Sequence, residues 1–218
     1  MSPTIKSKQR VNDHGEVFTS EREVNAMLDL VKRETERIDS RFLEPACGDG
    51  NFLSEILKRK LVIVEKRYKK SQNEFELYSL LAVGSIYGVE ILQDNVETCR
   101  ERLFLIFNKK YSSIYKNKSK DSLRIAIRFI LERNILWGDA LSLKTPDKKA
   151  EPIVFSEWSM VKNGMIKRRD FQYKELADFD PNRPTLFSMR EVSDSGEIVF
   201  SPMPVTDFPL IHFLKLGV

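Results

Sequence analysis

Cysteine and histidine are scarce in this sequence: Cys47 and Cys99, His14 and His212. Two cysteines cannot build the disulfide framework of a small secreted domain. Four such ligands at wide spacing do not form a metal-binding pattern either, so no metal is expected. Each cysteine reads as a small buried apolar residue. Long apolar runs are also missing, and nothing approaches the roughly 18 residues of a membrane span. The opening MSPTIKSKQRVNDHGE holds no apolar core of a secretory signal. These absences predict a cytoplasmic protein with no membrane contact. Nor does charge of one sign dominate, since 36 Lys and Arg against 32 Asp and Glu leave a formal net charge of +4. That mildly basic balance is compatible with a nucleic-acid partner without demanding one. What is present is ordinary for a globular chain: 218 residues, 41% hydrophobic and 31% charged, enough for one large domain or a domain with an appendage.

Ser20 and Glu23 stand in capping-box spacing, and Val24, Met27, Leu28, Val31 and Ile38 continue at helical intervals. A strand is expected at 41–43, then a loop over 44–50. A helix follows from Asn51 with Leu53, Ile56, Leu57 and Leu61 on one face. Residues 62–83 read as a further helix and SIYGVEIL (85–92) as a strand. Val96, Cys99, Leu103 and Ile106 mark the next helix, and KKYSSIYKNKSK (109–120) reads as a basic loop. Leu123, Ile127, Ile130 and Leu131 mark another helix, before strands in NILWGDAL (134–141) and PIVFSEWS (152–159). Alternation through four strands predicts an α/β fold, a parallel sheet with helices on both faces. Beyond 159 the character changes. Asn163-Gly164 between two mixed runs signals a hairpin. Prolines at 181, 184, 202, 204 and 209 then mark an irregular C-terminal extension with a candidate strand at 197–201. The chain is therefore divided into 1–159 and 160–218. Its apolar end, PLIHFLKL, is expected to fold back onto the sheet or to dock on another subunit.

Glycine is sparse too, and two of the nine fall in FLEPACGDGNFL, residues 42–53. In a doubly wound sheet, ligands bind at the carboxyl ends of the strands, where the first strand turns into its helix. Glycines at 48 and 50 let the backbone come close to such a ligand. The loop has no lysine and no G-K-[ST], which argues against a phosphate cradle. Glu44, at the strand tip, is placed to meet a positive group, while Asp49 and the loop amides are placed to meet polar ones. Glu90 ends the next strand in YGVEI, where a carboxylate accepts hydrogen bonds from ribose hydroxyls. A dinucleotide fold sets that acid about 20 residues past the loop; the extra helix over 62–83 accounts for the longer gap here. Asp139 ends the third strand in WGDAL. Acids at successive strand tips predict a row facing one ligand.

These residues resemble the S-adenosylmethionine-dependent DNA adenine-N6 methyltransferases, the class I, Rossmann-like family of restriction–modification systems. EPACGDGNF is similar to their acid-Pro-x-x-Gly-x-Gly-x-Phe cofactor loop, and HGEVFTSEREVNAMLDLV (14–31) to the turn and helix that precede that loop in the permuted members. YGVEI and WGDAL resemble their second and third cofactor motifs, so the match covers roughly 14–141. The resemblance implies S-adenosylmethionine as cofactor. It implies that Phe18 and Thr19 lie along it, that Glu44 meets its methionine amino group, and that Gly48 and Gly50 allow close approach. Phe52 would help form the wall, Glu90 would hold the ribose hydroxyls and Asp139 would meet the adenine amino group. The motif neighbours Ala46, Ile91 and Ala140 belong to the same expected set.

The pattern breaks after the fourth strand. The family places [DNS]-P-P-[YFW] there: oxygen acceptors for the target amino group, prolines that set the backbone, and a ring that stacks on a flipped base. Here the strand runs into Ser156-Glu157-Trp158-Ser159 with no proline pair. Two readings stand. Either Ser156 or Glu157 orients an amino group and Trp158 stacks on a base, or the chain is catalytically silent and Trp158 is a buried aromatic. About 60 residues remain after that strand, too few for the rest of a methyltransferase sheet plus a target-recognition region. The expectation is an incomplete methyltransferase-like fold acting on DNA, with a second protein subunit as a candidate partner. Its alternative is a silent cofactor-binding or regulatory subunit of a larger DNA-modifying complex. The clusters KRYKK (66–70), KKYSSIYKNKSK (109–120) and KRR (167–169) either track a phosphate backbone, with Tyr111 and Tyr115 stacking on bases, or form a solvated surface.

Overall fold

The computed structural model describes residues 19–178, 188–192 and 198–218. Helix α1 (Glu21–Leu30) begins where the sequence expects it. The Glu23 amide donates to Ser20 Oγ at 3.3 Å, and the Ser20 amide donates to the Glu23 carboxylate at 3.0 Å. Val24 and Leu28 carry its buried stripe. The helix breaks at Val31 into a short α2 (Lys32–Thr35), rather than running to Ile38. Strand β1 (Phe42–Glu44) leads through the glycine loop into α3 (Asn51–Tyr68). The helix expected over 62–83 is the end of α3 and a separate α4 (Gln72–Gly84), which Ser71 caps by accepting the Glu74 amide. Then come β2 (Ile86–Glu90), α5 (Gln93–Tyr115), α6 (Asp121–Asn134) and β3 (Ile135–Trp137).

The basic loop expected over 109–120 is corrected, because α5 runs through most of it. Tyr111 is fully buried and donates to Glu76 Oε1 at 2.5 Å. Tyr115 packs edge-on against Phe75 and donates to the Lys69 carbonyl. The Tyr111 ring is enclosed by the helical core and is not available as a platform for bases, while Tyr115 is half-buried at its edge. Glu76, also fully buried, takes Lys120 as its counter-charge at 2.7 Å. Burial without that cation would be costly.

β1, β2 and β3 form a parallel sheet in that order, with Glu44 opposite Gly88 and Glu90 opposite Trp137. Alternation along the strands divides two layers. Ile86 and Ile135 join the main core with Leu53, Leu57, Leu61, Leu80, Leu103, Ile127 and Ile130 of the helices. Tyr87, Val89 and Leu136 face the other way, onto Ile153, Phe155 and Tyr173.

That second face corrects two expectations. Helices were expected on both faces; among the described residues this face is covered by side chains of β4 (Val154–Val161) and of the short α7 (Tyr173–Ala177). The expected fourth parallel strand is antiparallel instead: β4 pairs with β5 (Met165–Gln172) along its whole length. The cause is local. Asn163 and Gly164 both take left-handed backbone, φ 64° and 71°, and return the chain at once. A parallel strand needs a crossover of a dozen residues or more, usually helical. Residues 138–153 hold two isolated bridges, Asp139 with Lys144 and Lys144 with Pro152, and no helix.

The C-terminal extension is more regular than expected. It forms a hairpin of β6 (Ser188–Val192) and β7 (Ile198–Pro202), then β8 (Thr206–Asp207) and β9 (Ile211–His212), which both pair with β5. The apolar end folds back, with Phe213 and Leu216 buried in the main core. No helix among the described residues is long and apolar enough to cross a membrane.

Candidate functional site

The loop after β1 is held by backbone bonds from the neighbouring strand. The Cys47 amide donates to the Val89 carbonyl at 3.0 Å, and the Gly50 amide to the Cys47 carbonyl at 2.9 Å. The Gly48 amide donates to Glu90 Oε2 at 2.8 Å, while the other oxygen of Glu90 takes the Leu92 amide at 2.9 Å. Glu90 is 7% exposed, so strand tip and loop meet at a nearly buried carboxylate. The two oxygens of Glu90 each take one amide, and a carboxyl oxygen has two lone pairs, so acceptor capacity remains for further donors. Gly50 is required twice. Its φ is +90°, and a Cβ there would stand 2.6 Å from Cys99 Sγ. Gly48, with φ +53°, has open space where its Cβ would point.

Glu44 is half-buried at the tip of β1, and burial pushes its carboxyl above the usual range against a single opposing backbone bond from Ala46. Among the described residues it has no ion pair. Cys47 lies between the acids. Its contact with Cys99, its burial and the charges of Glu90 and Glu44 all push its thiol up. Such an environment is that of a structural rather than a reactive cysteine. Asp139 stands just past β3, tied to the row by the Gly138 amide, which donates to the Glu90 carbonyl at 3.0 Å. Its carboxylate accepts the amides of Leu141 at 2.9 Å and Ser142 at 3.4 Å, which hold it below the usual range.

The structure thus brings Glu44, Gly48, Gly50, Glu90 and Asp139 to one end of the sheet. Ile91 is half-exposed beside Glu90, Ala46 is exposed on the loop, and Ala140 is half-buried after Asp139. Phe52 packs against the main core from the start of α3. Thr19 precedes the cap of α1, and Phe18 lies outside the described residues.

The three residues read as candidate catalytic groups are not at this end. Ser156 is 2% exposed; its hydroxyl donates to Asp170 Oδ1 at 2.7 Å and accepts from Arg168 Nε. Glu157 pairs with Arg41 and Arg169. Trp158 is buried, donates to Asn134 Oδ1 at 3.0 Å and packs on Gly84 and Phe129. Gly84 lies two residues before β2, and Asn134 immediately precedes β3. Trp158 therefore sits at the amino ends of the parallel strands, at the pole opposite the glycine loop, because antiparallel β4 carries the chain from Val89 and Ile153 down to that pole.

Over 98 residues, 44% of its length, the chain is 31% identical to a Methanocaldococcus jannaschii protein named "putative type II restriction enzyme and methyltransferase". That likeness relates it to restriction–modification proteins. The chain spans 8% of that relative's length. No family model and no solved structure matches it.

Three site features escaped the reading of the sequence. Trp137 donates its indole N–H to the Ile91 carbonyl at 2.9 Å, bridging the tips of β2 and β3. Leu141 is almost wholly exposed beside Asp139. Arg102 of α5 takes both oxygens of Asp49. Trp137 was within reach, since it belongs to the WGDAL motif. Arg102 lies 53 residues from Asp49 with no local pattern joining them.

Proposed function

We propose that the chain binds S-adenosylmethionine at the carboxyl ends of β1, β2 and β3, as the cofactor-holding part of a DNA adenine-N6 methyltransferase of restriction–modification type. The observation that carries this reading is Glu90: a nearly buried carboxylate bonded to the glycine-loop amide, with acceptor capacity left over. The donor set fits the cofactor. Glu44, short of hydrogen-bond donors, suits an ammonium group; Glu90 suits the ribose hydroxyls; Asp139 suits an exocyclic amine. The open space at Gly48 gives the ligand room to approach the loop. The cofactor supplies a methyl group on a sulfonium, activated without help from the protein. The chain's own contribution is to orient that group, which is where positional catalysis gains its rate. Neither cysteine takes part.

The position of Trp158 favours the silent form of this reading, in which another polypeptide supplies the groups that hold the target adenine. Calorimetric titration with S-adenosylmethionine tests the cofactor claim. Saturable binding is expected, weakened ~100-fold or more in Glu90→Ala with the far-ultraviolet spectrum unchanged. No heat at millimolar cofactor would remove the claim. A tritiated-methyl assay on unmethylated DNA tests the silent form: the chain alone is expected to transfer no label, and label in DNA would restore an active enzyme.

A further inference from the structure

Asp49 stands between the two glycines of the loop, yet it has no part in the proposed ligand set. Both its oxygens are taken by one guanidinium: Arg102 Nη2 donates to Oδ2 at 2.9 Å and Nη1 to Oδ1 at 3.2 Å. Nη1 also donates to Oδ1 of Asn51, the first residue of α3, at 2.7 Å. The pair is only part exposed, 33% for Arg102 and 21% for Asp49. Three residues earlier on α5, Cys99 fills the space that a Gly50 side chain would need. One helix therefore backs the loop with an apolar stop and closes it with an ionic fork. The loop needs both. Two left-handed glycines leave its backbone many alternatives, and the acids Glu44, Asp49 and Glu90 crowd into it. A planar, bidentate pair fixes both the distance and the rotation of Asp49.

We propose that Arg102 is a positioning residue for the cofactor site. It holds Asp49, and so keeps the neighbouring Gly48 amide on Glu90, in the arrangement that presents the remaining acceptors of Glu90 to the ribose. It also cancels one carboxylate in the cluster, so that Glu44 and Glu90 remain to act on the ligand. The role rests on the S-adenosylmethionine reading. The stiffening of the loop does not depend on it.

The test uses the full chain and three readouts: cofactor affinity by calorimetry, melting temperature, and amide exchange at Gly48, Asp49 and Gly50. Arg102→Ala is expected to weaken S-adenosylmethionine ~10–100-fold, on the scale seen when outer partners of a binding site are lost. Its loop amides should exchange faster while those of α3 and β2 keep their protection. Arg102→Lys, which keeps the charge but loses the fork, should fall between the two. Asp49→Asn should weaken binding in the same direction without removing the side chain, and it stands in if Arg102→Ala fails to fold. Wild-type affinity with unchanged loop exchange in both Arg102→Ala and Asp49→Asn would overturn the proposal. Should the wild-type chain bind no cofactor, the reading of function falls. Exchange still decides the clamp: faster loop amides in Arg102→Ala uphold it, and unchanged ones remove it.

Discussion

At Gly50 two constraints that would each select glycine coincide. The backbone is left-handed, and Cys99 Sγ occupies the space of a side chain. Gly50→Ala is expected to destabilise the protein by about 2–4 kcal/mol, combining backbone strain with overpacking. Adding Cys99→Ala should recover only the overpacking part; denaturant midpoints of the single and double variants check this. Lys60 is a second residue whose environment decides its chemistry. It is buried in α3 and donates to the carbonyls of Ile38 and Ser40 and to Ser85 Oγ at 2.6 Å. Burial pulls its ammonium down to about 7, with Asp39 opposing. An unfolded lysine titrates near 10.4. Between those values the unfolded chain binds the extra proton, so this group makes stability rise with pH across that window and costs most below it. Melting temperatures from pH 7 to 9 are expected to climb, and Lys60→Met should flatten the climb while lowering overall stability, because three acceptors lose their donor. A wild-type curve falling over that range would contradict the assignment.

Elements read well where their cause is local. The capping box of α1 and the apolar faces of α3, α5 and α6 are all visible in short windows of sequence, and so is the Asn163-Gly164 turn. Asn163 tolerates its left-handed backbone where a β-branched residue does not, so Asn163→Val is expected to cost about 1–2 kcal/mol, read from the urea midpoint. Boundaries and extensions were less legible. Lys109, Lys110, Ser112 and Ser113 disguise the last turns of α5, and its true anchor, Tyr111 on Glu76, is a contact with α4. The end of the chain left two outcomes open, and the core chose between them: Phe213 is fully buried beside Ile166. Phe213→Ala should therefore cost about 3–5 kcal/mol, the range for a large aromatic lost from a packed interior. A change below 1 kcal/mol would mean that the terminus is not part of the fold.

Across the whole molecule, the parallel sheet has the order β1-β2-β3, with no reversal of strand order among its described strands. Ligand crevices in open sheets lie at such reversals. The outer edge of β1 instead borders a cavity of about 330 Å³, lined by Phe42, Leu43, Phe155, Phe171 and Leu176 among others. Local sequence sufficed for the acids at the strand tips, the glycines between them and the turn that sends β4 back, because each depends on neighbours a few residues away. The burial of Trp158 at the far pole, the docking of Phe213 in the core and the grip of Arg102 on Asp49 were decided only by the tertiary structure. Those choices depend on burial and shape summed over partners remote in sequence, and no short window contains that sum.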